Sequence, residues 1–298
     1  MTQSDHSDSA SALSRYWNQH SRRWREFQYV YPVISRRSHG LSIGINLNPD
    51  KVCNWDCVYC QVDRSDRPKS KRVDPARLRD ELDSMLGWVT SGEIWKSDEF
   101  TGVPAEQRRF NDIAFSGDGE PTMYPHFEDA CRMVIDLKNA HELTGVKLIV
   151  LTNMTLYHRP NVQRAFEQLD ENNGEIWAKL DAGTVTGYQQ IDRSAVPFDR
   201  VLNNVLEAGK RRPIVIQTML MNLSGIPMLA EDFDEYLNRI CELVSNGCQI
   251  KRVQLYTIAR QTAELYVGPL DDEQLDRYAQ RFRQRLRGVP CEVFYGVA

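Results

Sequence analysis

The chain has 298 residues, 41% of them hydrophobic and 26% charged, with a formal net charge of −4. Such a chain can bury a sizeable core and is not a general coat for nucleic acid, although a local basic groove remains compatible with this balance. No apolar run approaches the roughly 18 residues that a membrane span needs. The start Met1-Thr2-Gln3-Ser4-Asp5 has no basic-then-apolar leader, so the seven cysteines are read as belonging to a reducing cytoplasm.

Residues 1–12 are rich in Ser, Asp and Ala and are expected to be an unstructured end. Leu13, Trp17, Trp24 and Phe27 follow at near-helical spacing, with Arg15, Arg22, Arg23 and Arg25 on other faces. This reads as a helix packed through its tryptophans, the alternative being an aromatic and basic face for a polyanion. Residues 28–35 read as extended, and Arg36 and Arg37 then precede His39 and Gly40. Residues 1–38 are therefore expected to form an N-terminal extension, and residues 39–298 the main domain.

Leu41 to Leu47 reads as a strand, and Asn48-Pro49-Asp50 as its loop. Three cysteines follow within eight residues, Cys53, Cys57 and Cys60, spaced C-x3-C-x2-C. Thiolates this close in sequence can converge on one metal centre. A structural zinc site needs a fourth ligand, and none is near; His39 is the closest upstream histidine. A four-iron cube held by three thiolates keeps one iron open for a ligand. A charged stretch follows, with Arg64, Arg67, Lys69, Lys71 and Arg72 interrupted by Asp63, Asp66 and Asp74, and reads as a solvated loop, the alternative being an anion site.

Asp74 then Pro75 mark a helix start, with Leu78, Leu82, Met85 and Leu86 as its buried stripe. Residues 90–109 read as an irregular excursion. Strands are expected over 112–116, 147–151, 175–180, 213–221, 250–256 and 291–295. Helices are expected over 126–142, 160–172, 197–210, 230–246 and 271–287. Strand then helix, repeated about six times, implies parallel strands with crossover helices, as a barrel or an open doubly wound sheet. Either arrangement builds its site at the carboxyl ends of the strands.

Several polar residues fall at those ends. The strand 112–116 runs into Gly117-Asp118-Gly119-Glu120-Pro121, whose glycines permit close approach of backbone to a ligand. Asn153 and Asp181 follow later strands and are candidates for ribose hydroxyls. Lys179 shares a strand face with Asp181, so an ion pair is expected. Gln254, Tyr256 and Arg260, on and after the sixth core strand, are candidates to face substrate. Cys131, Cys241, Cys248 and Cys291 are scattered and read as ordinary packing residues.

The cysteine stretch, with Tyr59 before its last cysteine, and the Gly117–Pro121 loop one βα unit later together resemble the radical S-adenosylmethionine (SAM) superfamily. Ser42-Ile43-Gly44-Ile45-Asn46-Leu47 and Phe115 to Thr122 are similar to iron–sulfur oxidoreductases related to wybutosine-type tRNA-modifying enzymes. The resemblance implies a partial (βα)6 TIM-like barrel with an N-terminal extension. It implies a [4Fe–4S] cluster on Cys53, Cys57 and Cys60, with SAM chelating the open iron. Gly117, Asp118, Gly119 and Glu120 would contact the amino group of SAM, and Tyr59 would lie near its adenine. An electron from a small flavodoxin- or ferredoxin-type protein would cleave SAM to a 5′-deoxyadenosyl radical that abstracts hydrogen from substrate. RNA is one substrate class the resemblance suggests; the second cluster of the tRNA enzymes has no matching cysteines here. The competing functions are an iron–sulfur electron carrier or redox sensor, and a zinc-binding interaction module.

Overall fold

The computed structural model describes residues 16–17, 24–68 and 70–296. The unstructured end expected over residues 1–12, and all of the first helix except Tyr16, Trp17 and residues 24–27, lie outside these. Trp24 is buried, with its ring 5.5 Å from that of Phe100 and edge-on to Trp88.

One eight-stranded sheet organises the chain. Its strands are β1 (Val30–Ser35), β2 (Gly40–Ile45), β3 (Phe110–Phe115), β4 (Lys147–Thr152), β5 (Gly174–Lys179) and β6 (Ile214–Met219). Two short strands, β7 (Asn222–Leu223) and β8 (Ile226–Pro227), precede β9 (Ile250–Tyr256), and a third, β10 (Val267–Gly268), precedes β11 (Cys291–Phe294). The sheet order is β1-β2-β3-β4-β5-β6-β9-β11, with β10-β7-β8 as a separate small sheet. Every neighbouring pair from β2 to β11 in the large sheet is parallel. Only β1 runs against its neighbour, with Tyr31 opposite Gly44. Gly44 is needed there because a Cβ would sit 2.2 Å from the Tyr31 ring.

The helices are α1 (Pro75–Thr90), α2 (Phe127–Ala140), α3 (Pro160–Asp170), α4 (Val185–Ile191), α5 (Phe198–Arg211), α6 (Ala230–Ser245) and α7 (Asp272–Arg285). The Asp74 carboxylate caps α1 by accepting from the Ala76 and Arg77 amides, and Asp271 closes a capping box with Gln274 on α7. The buried stripe of α1 is Leu78, Leu82, Met85, Leu86 and Val89. Glu81, also buried on α1, accepts from the Gln28 and Tyr29 amides and from Arg77, which ties the helix to the start of β1. No helix among the described residues is long and apolar enough to cross a membrane.

Alternation along the strands sorts the sheet into two faces. One face, with Ile113, Phe115, Leu148, Val150, Ile176 and Ile216, shares a core with Phe127, Phe166, Val201 and Phe233 of the helices. The other carries a small cluster, Ala114, Ile149, Trp177 and Val215, with Leu151 packed against it. Below that cluster, at the amino ends of the strands, Glu175 accepts from Lys147, Lys251, Arg252 and the Trp177 indole at 2.8–3.0 Å. Burial works to raise the Glu175 pKa, but the bonds from Lys251, Lys147 and Trp177 bring it well below the ordinary carboxylate range.

The curled, mostly parallel sheet with helices on one face is the partial TIM-like barrel expected from the sequence. The β1–β2 turn reaches towards the opposite edge. Arg36 donates to the Thr257 carbonyl beyond β9, and His39 lies against Phe294 of β11. Three features differ from the sequence reading. Residues 30–35, read as part of the N-terminal extension, form β1, which is hydrogen-bonded to β2 in the main sheet. Helix α4 has seven residues, too few for periodicity to reveal, and starts at a Thr184 cap. The excursion at 90–109 contains short 3-10 turns at Glu93–Lys96 and Ala105–Gln107 and buries Ile94, Phe100 and Val103.

Candidate active site

The cysteine loop leaves β2 at the carboxyl end of the sheet and has no regular structure of its own. Its backbone is satisfied by neighbours, as a buried loop requires. The Asp56 and Val58 amides donate to the carbonyls of Asp192 and Ile191, at 3.0 and 2.9 Å. Ser194 donates to the Asn54 carbonyl, the Asn54 side chain donates to Thr155, and Asn153 donates to the Asn54 side chain. Trp55 is buried and meets Tyr188 of α4 edge-on at 5.6 Å. Helix α4, which periodicity missed, is thus one wall behind the loop.

Cys53, Cys57 and Cys60 are partly buried and line one cavity of about 290 Å³. Burial pushes the Cys53 thiol up to about 11 and the Cys57 thiol well above the ordinary thiol range, the latter with added repulsion from Asp192 and Asp181. Thiolates in such surroundings need a compensating cation, which a bound metal supplies. No three His, Cys, Asp or Glu side chains among the described residues close on a single ion. A multi-iron group, in contrast, takes one thiolate per iron. Arg64 donates to Cys60 Sγ at 3.2 Å, so at least this member of the charged stretch belongs to the site.

The Gly117–Glu120 loop faces the cysteine loop across the same cavity. Asn46, at the end of β2, accepts from the Asp118 amide at 3.1 Å and donates to the Asp118 carboxylate at 2.7 Å. A Cβ on Gly117 would lie 2.4 Å from Asn46 Oδ1, and one on Gly119 would lie 2.2 Å from the Val52 carbonyl. Close approach therefore requires both glycines; neither has a left-handed φ, and nor does Asp118. A side chain at 118 is accommodated for that reason. Glu120 is 3% exposed, and burial raises its pKa. Its carboxylate accepts from the Thr122 amide and hydroxyl, the Thr152 hydroxyl and the Asn153 amide. It staples this loop to the end of β4.

On the far side of the cavity, Lys179 lies 3.2 Å from Asp181 and donates to the Tyr256 hydroxyl. Its ammonium sits 4.7 Å from the ring centre of Tyr59 and 4.9 Å from that of Tyr256. Asp181 accepts from the Tyr59 hydroxyl at 2.5 Å and the Met219 amide at 2.6 Å. The ion pair expected from strand alternation is present. Tyr59, Gly117, Asp118, Gly119, Glu120, Asn153, Lys179, Tyr256 and Arg260 all line the cavity. Asp181 and Gln254 stand behind its wall, 1% and 0% exposed. Gln254 accepts from Gln217 and donates to Glu292. Sequence reasoning did not single out Asn46, Asn54, Arg64 or Asp192 for the site. The tertiary approach of 46 to 118 and of 54–58 to 153–194 identifies Asn46, Asn54 and Asp192, and the bond to Cys60 identifies Arg64.

A family model described as the radical SAM superfamily matches residues 47–226. A protein named GTPase Obg from Brachyspira hyodysenteriae is 24% identical over 253 residues, 84% of this chain and 33% of its own length. A UPF0026 protein from Helicobacter pylori is 25% identical over 233 residues, 78% of this chain and 66% of its own. The chain thus spans a third of the first relative and just under two thirds of the second. A solved structure of TYW1 with a lysine–pyruvate adduct bound shares the fold at a TM-score of 0.52 and 15% identity, covering 92% of this chain and 81% of that one.

Proposed function

The chain belongs to the radical SAM superfamily, and from that premise we propose that it is a SAM-cleaving iron–sulfur enzyme whose cluster is held by Cys53, Cys57 and Cys60. When bound, a [4Fe–4S] cluster with SAM supplies reductive cleavage to methionine and a 5′-deoxyadenosyl radical, which takes hydrogen from a substrate. One observation carries the reading: the three cysteines and the Gly117–Glu120 loop line a single cavity at the carboxyl ends of parallel strands, inside the matched segment.

The chain's own residues have distinct tasks. Asn46 and Glu120 hold the Gly117–Glu120 loop so that its backbone faces the cavity. Asn54, Trp55 and Ser194 hold the cysteine loop in place. Arg64 places a positive charge beside Cys60. Tyr59, anchored through Asp181, and Asn153 line the region assigned to the nucleoside of SAM. A small flavodoxin- or ferredoxin-type protein donates the electron, and RNA stays among the substrate classes.

The test is anaerobic reconstitution with iron and sulfide, reduction, and assay for 5′-deoxyadenosine. The protein is expected to take up about four irons and to release the nucleoside from SAM, and the triple Cys→Ala variant to do neither. A filled cluster that cycles between redox states without releasing nucleoside overturns the reading and favours an electron carrier.

A further inference from the structure

Arg36 and Arg37 lie in the turn between β1 and β2, and both line the cavity. Arg36 donates through Nη2 to the Thr257 carbonyl at 3.2 Å, while its buried Nη1 has no acceptor among the described residues. Arg37 donates to Gln217 Oε1 at 3.1 Å, and its guanidinium lies 4.9 Å from the ring centre of Tyr256 and 5.8 Å from that of Trp177. Neither arginine has a carboxylate partner among the described residues. Trp17, lining the same cavity, also has a buried indole N–H without an acceptor there.

Two adjacent guanidinium groups with no counter-ion are costly to hold. Burial, with the neighbouring charge of Arg37, lowers the Arg36 pKa to about 10. The cavity is lined by five cationic side chains, Arg36, Arg37, Arg64, Lys179 and Arg260, but by only two carboxylates, Asp118 and Glu120. Lys179 has Asp181, and Arg64 sits at the cysteines. Glu120 is engaged by Thr122, Thr152 and Asn153, and Asp118 by Asn46. What stands beside β6 and β9 is the Arg36–Arg37 pair, without a carboxylate partner among the described residues and with Arg36 Nη1 lacking an acceptor there. Guanidinium forks fit phosphate and carboxylate oxygens.

We infer that Arg36 and Arg37 form a receptor for a compact oxyanion, a phosphate or carboxylate carried by the substrate, in the part of the cavity beside Gln217, Tyr256 and Thr257. The inference rests on the function proposed above and names the chemistry of its substrate.

The experiment titrates inorganic phosphate and, separately, malonate into the reconstituted full chain by calorimetry, at constant ionic strength, with and without SAM. Saturable binding of one or both is expected, and the tighter of the two tells phosphate from carboxylate. Arg36→Gln with Arg37→Gln is expected to weaken it about 10- to 100-fold. Arg37→Lys keeps a cation, loses the fork, and is expected to weaken it about tenfold, which tests the site even if the double variant folds poorly. Failure of both anions to bind, or equal binding by wild type and Arg37→Lys, overturns the inference. So does an equal loss of SAM affinity, because the anion served would then be SAM's own carboxylate. A protein that yields 5′-deoxyadenosine but binds neither anion fails here alone. One that binds an anion but never yields the nucleoside keeps the receptor and loses the function proposed above.

Discussion

Removing the carboxylate at 181 is the sharpest test of how the cavity wall is held. Asp181 is 1% exposed and accepts from Tyr59, Met219 and Lys179 at 2.5, 2.6 and 3.2 Å. Asp181→Ala leaves an amide and a phenol without an acceptor, and a largely buried ammonium with only Tyr256 and two ring faces. Breaking a buried pair by deleting one partner costs about 3–5 kcal/mol. For a chain of this size that corresponds to about 2 °C per kcal/mol, so the melting temperature is expected to fall by about 6–10 °C. Lys179→Met is expected to cost less, because two donors still hold Asp181. The double variant is expected to lose less than the sum of the singles, by about 1–3 kcal/mol of coupling. The assay is thermal and urea unfolding of the apo chain, followed by tryptophan fluorescence. A melting temperature for Asp181→Ala within 2 °C of wild type, or additive losses in the cycle, would refute the reasoning.

Gly119→Ala puts a methyl group 2.2 Å from the Val52 carbonyl. It should displace the loop at a cost of about 1–3 kcal/mol, seen as a roughly 5- to 150-fold rise in the SAM dissociation constant, whereas Asp118→Gly should leave that constant within about threefold. Glu175 has a depressed pKa in the fold, so its stabilising contribution is present above its ordinary value of 4.5 and is lost as pH falls through the lower folded value. Glu175→Gln should therefore flatten the fall in melting temperature below about pH 4.5; an unchanged acid limb would show that the Lys147–Lys251–Arg252 cluster does not depend on that charge.

The parallel strands were legible because most are short, largely apolar runs set between helical patterns, and the long helices because stripes such as Leu78-Leu82-Met85 repeat at helical spacing. The cysteines and the Gly117–Pro121 loop were legible because their chemistry is written in contiguous residues. What escaped was tertiary. The Val30–Ser35 strand carries no mark saying that it pairs antiparallel with Gly40–Ile45 inside the main sheet. Asp181 and Gln254 were sensible ligand candidates from strand position, yet hydrogen bonding to Tyr59, Met219, Gln217 and Glu292 draws them behind the cavity wall. Arg36 and Arg37 carried no functional mark in the sequence, and only the curl of the sheet brings them to the cavity.

The packing of the cysteine loop also has a consequence during protein synthesis. Its thiols emerge from the ribosome early, but the Ile191 and Asp192 carbonyls that hold it come more than a hundred residues later, and the Ala263 amide that bonds the Cys60 carbonyl about 200 residues later. At about 5–20 residues per second, that leaves three cysteines unsupported for about 10–40 s on each nascent chain. Under the function proposed above, iron delivered in that interval would meet three thiols on a floppy eight-residue segment rather than a shaped site, so loading is expected to follow the docking of Ala263.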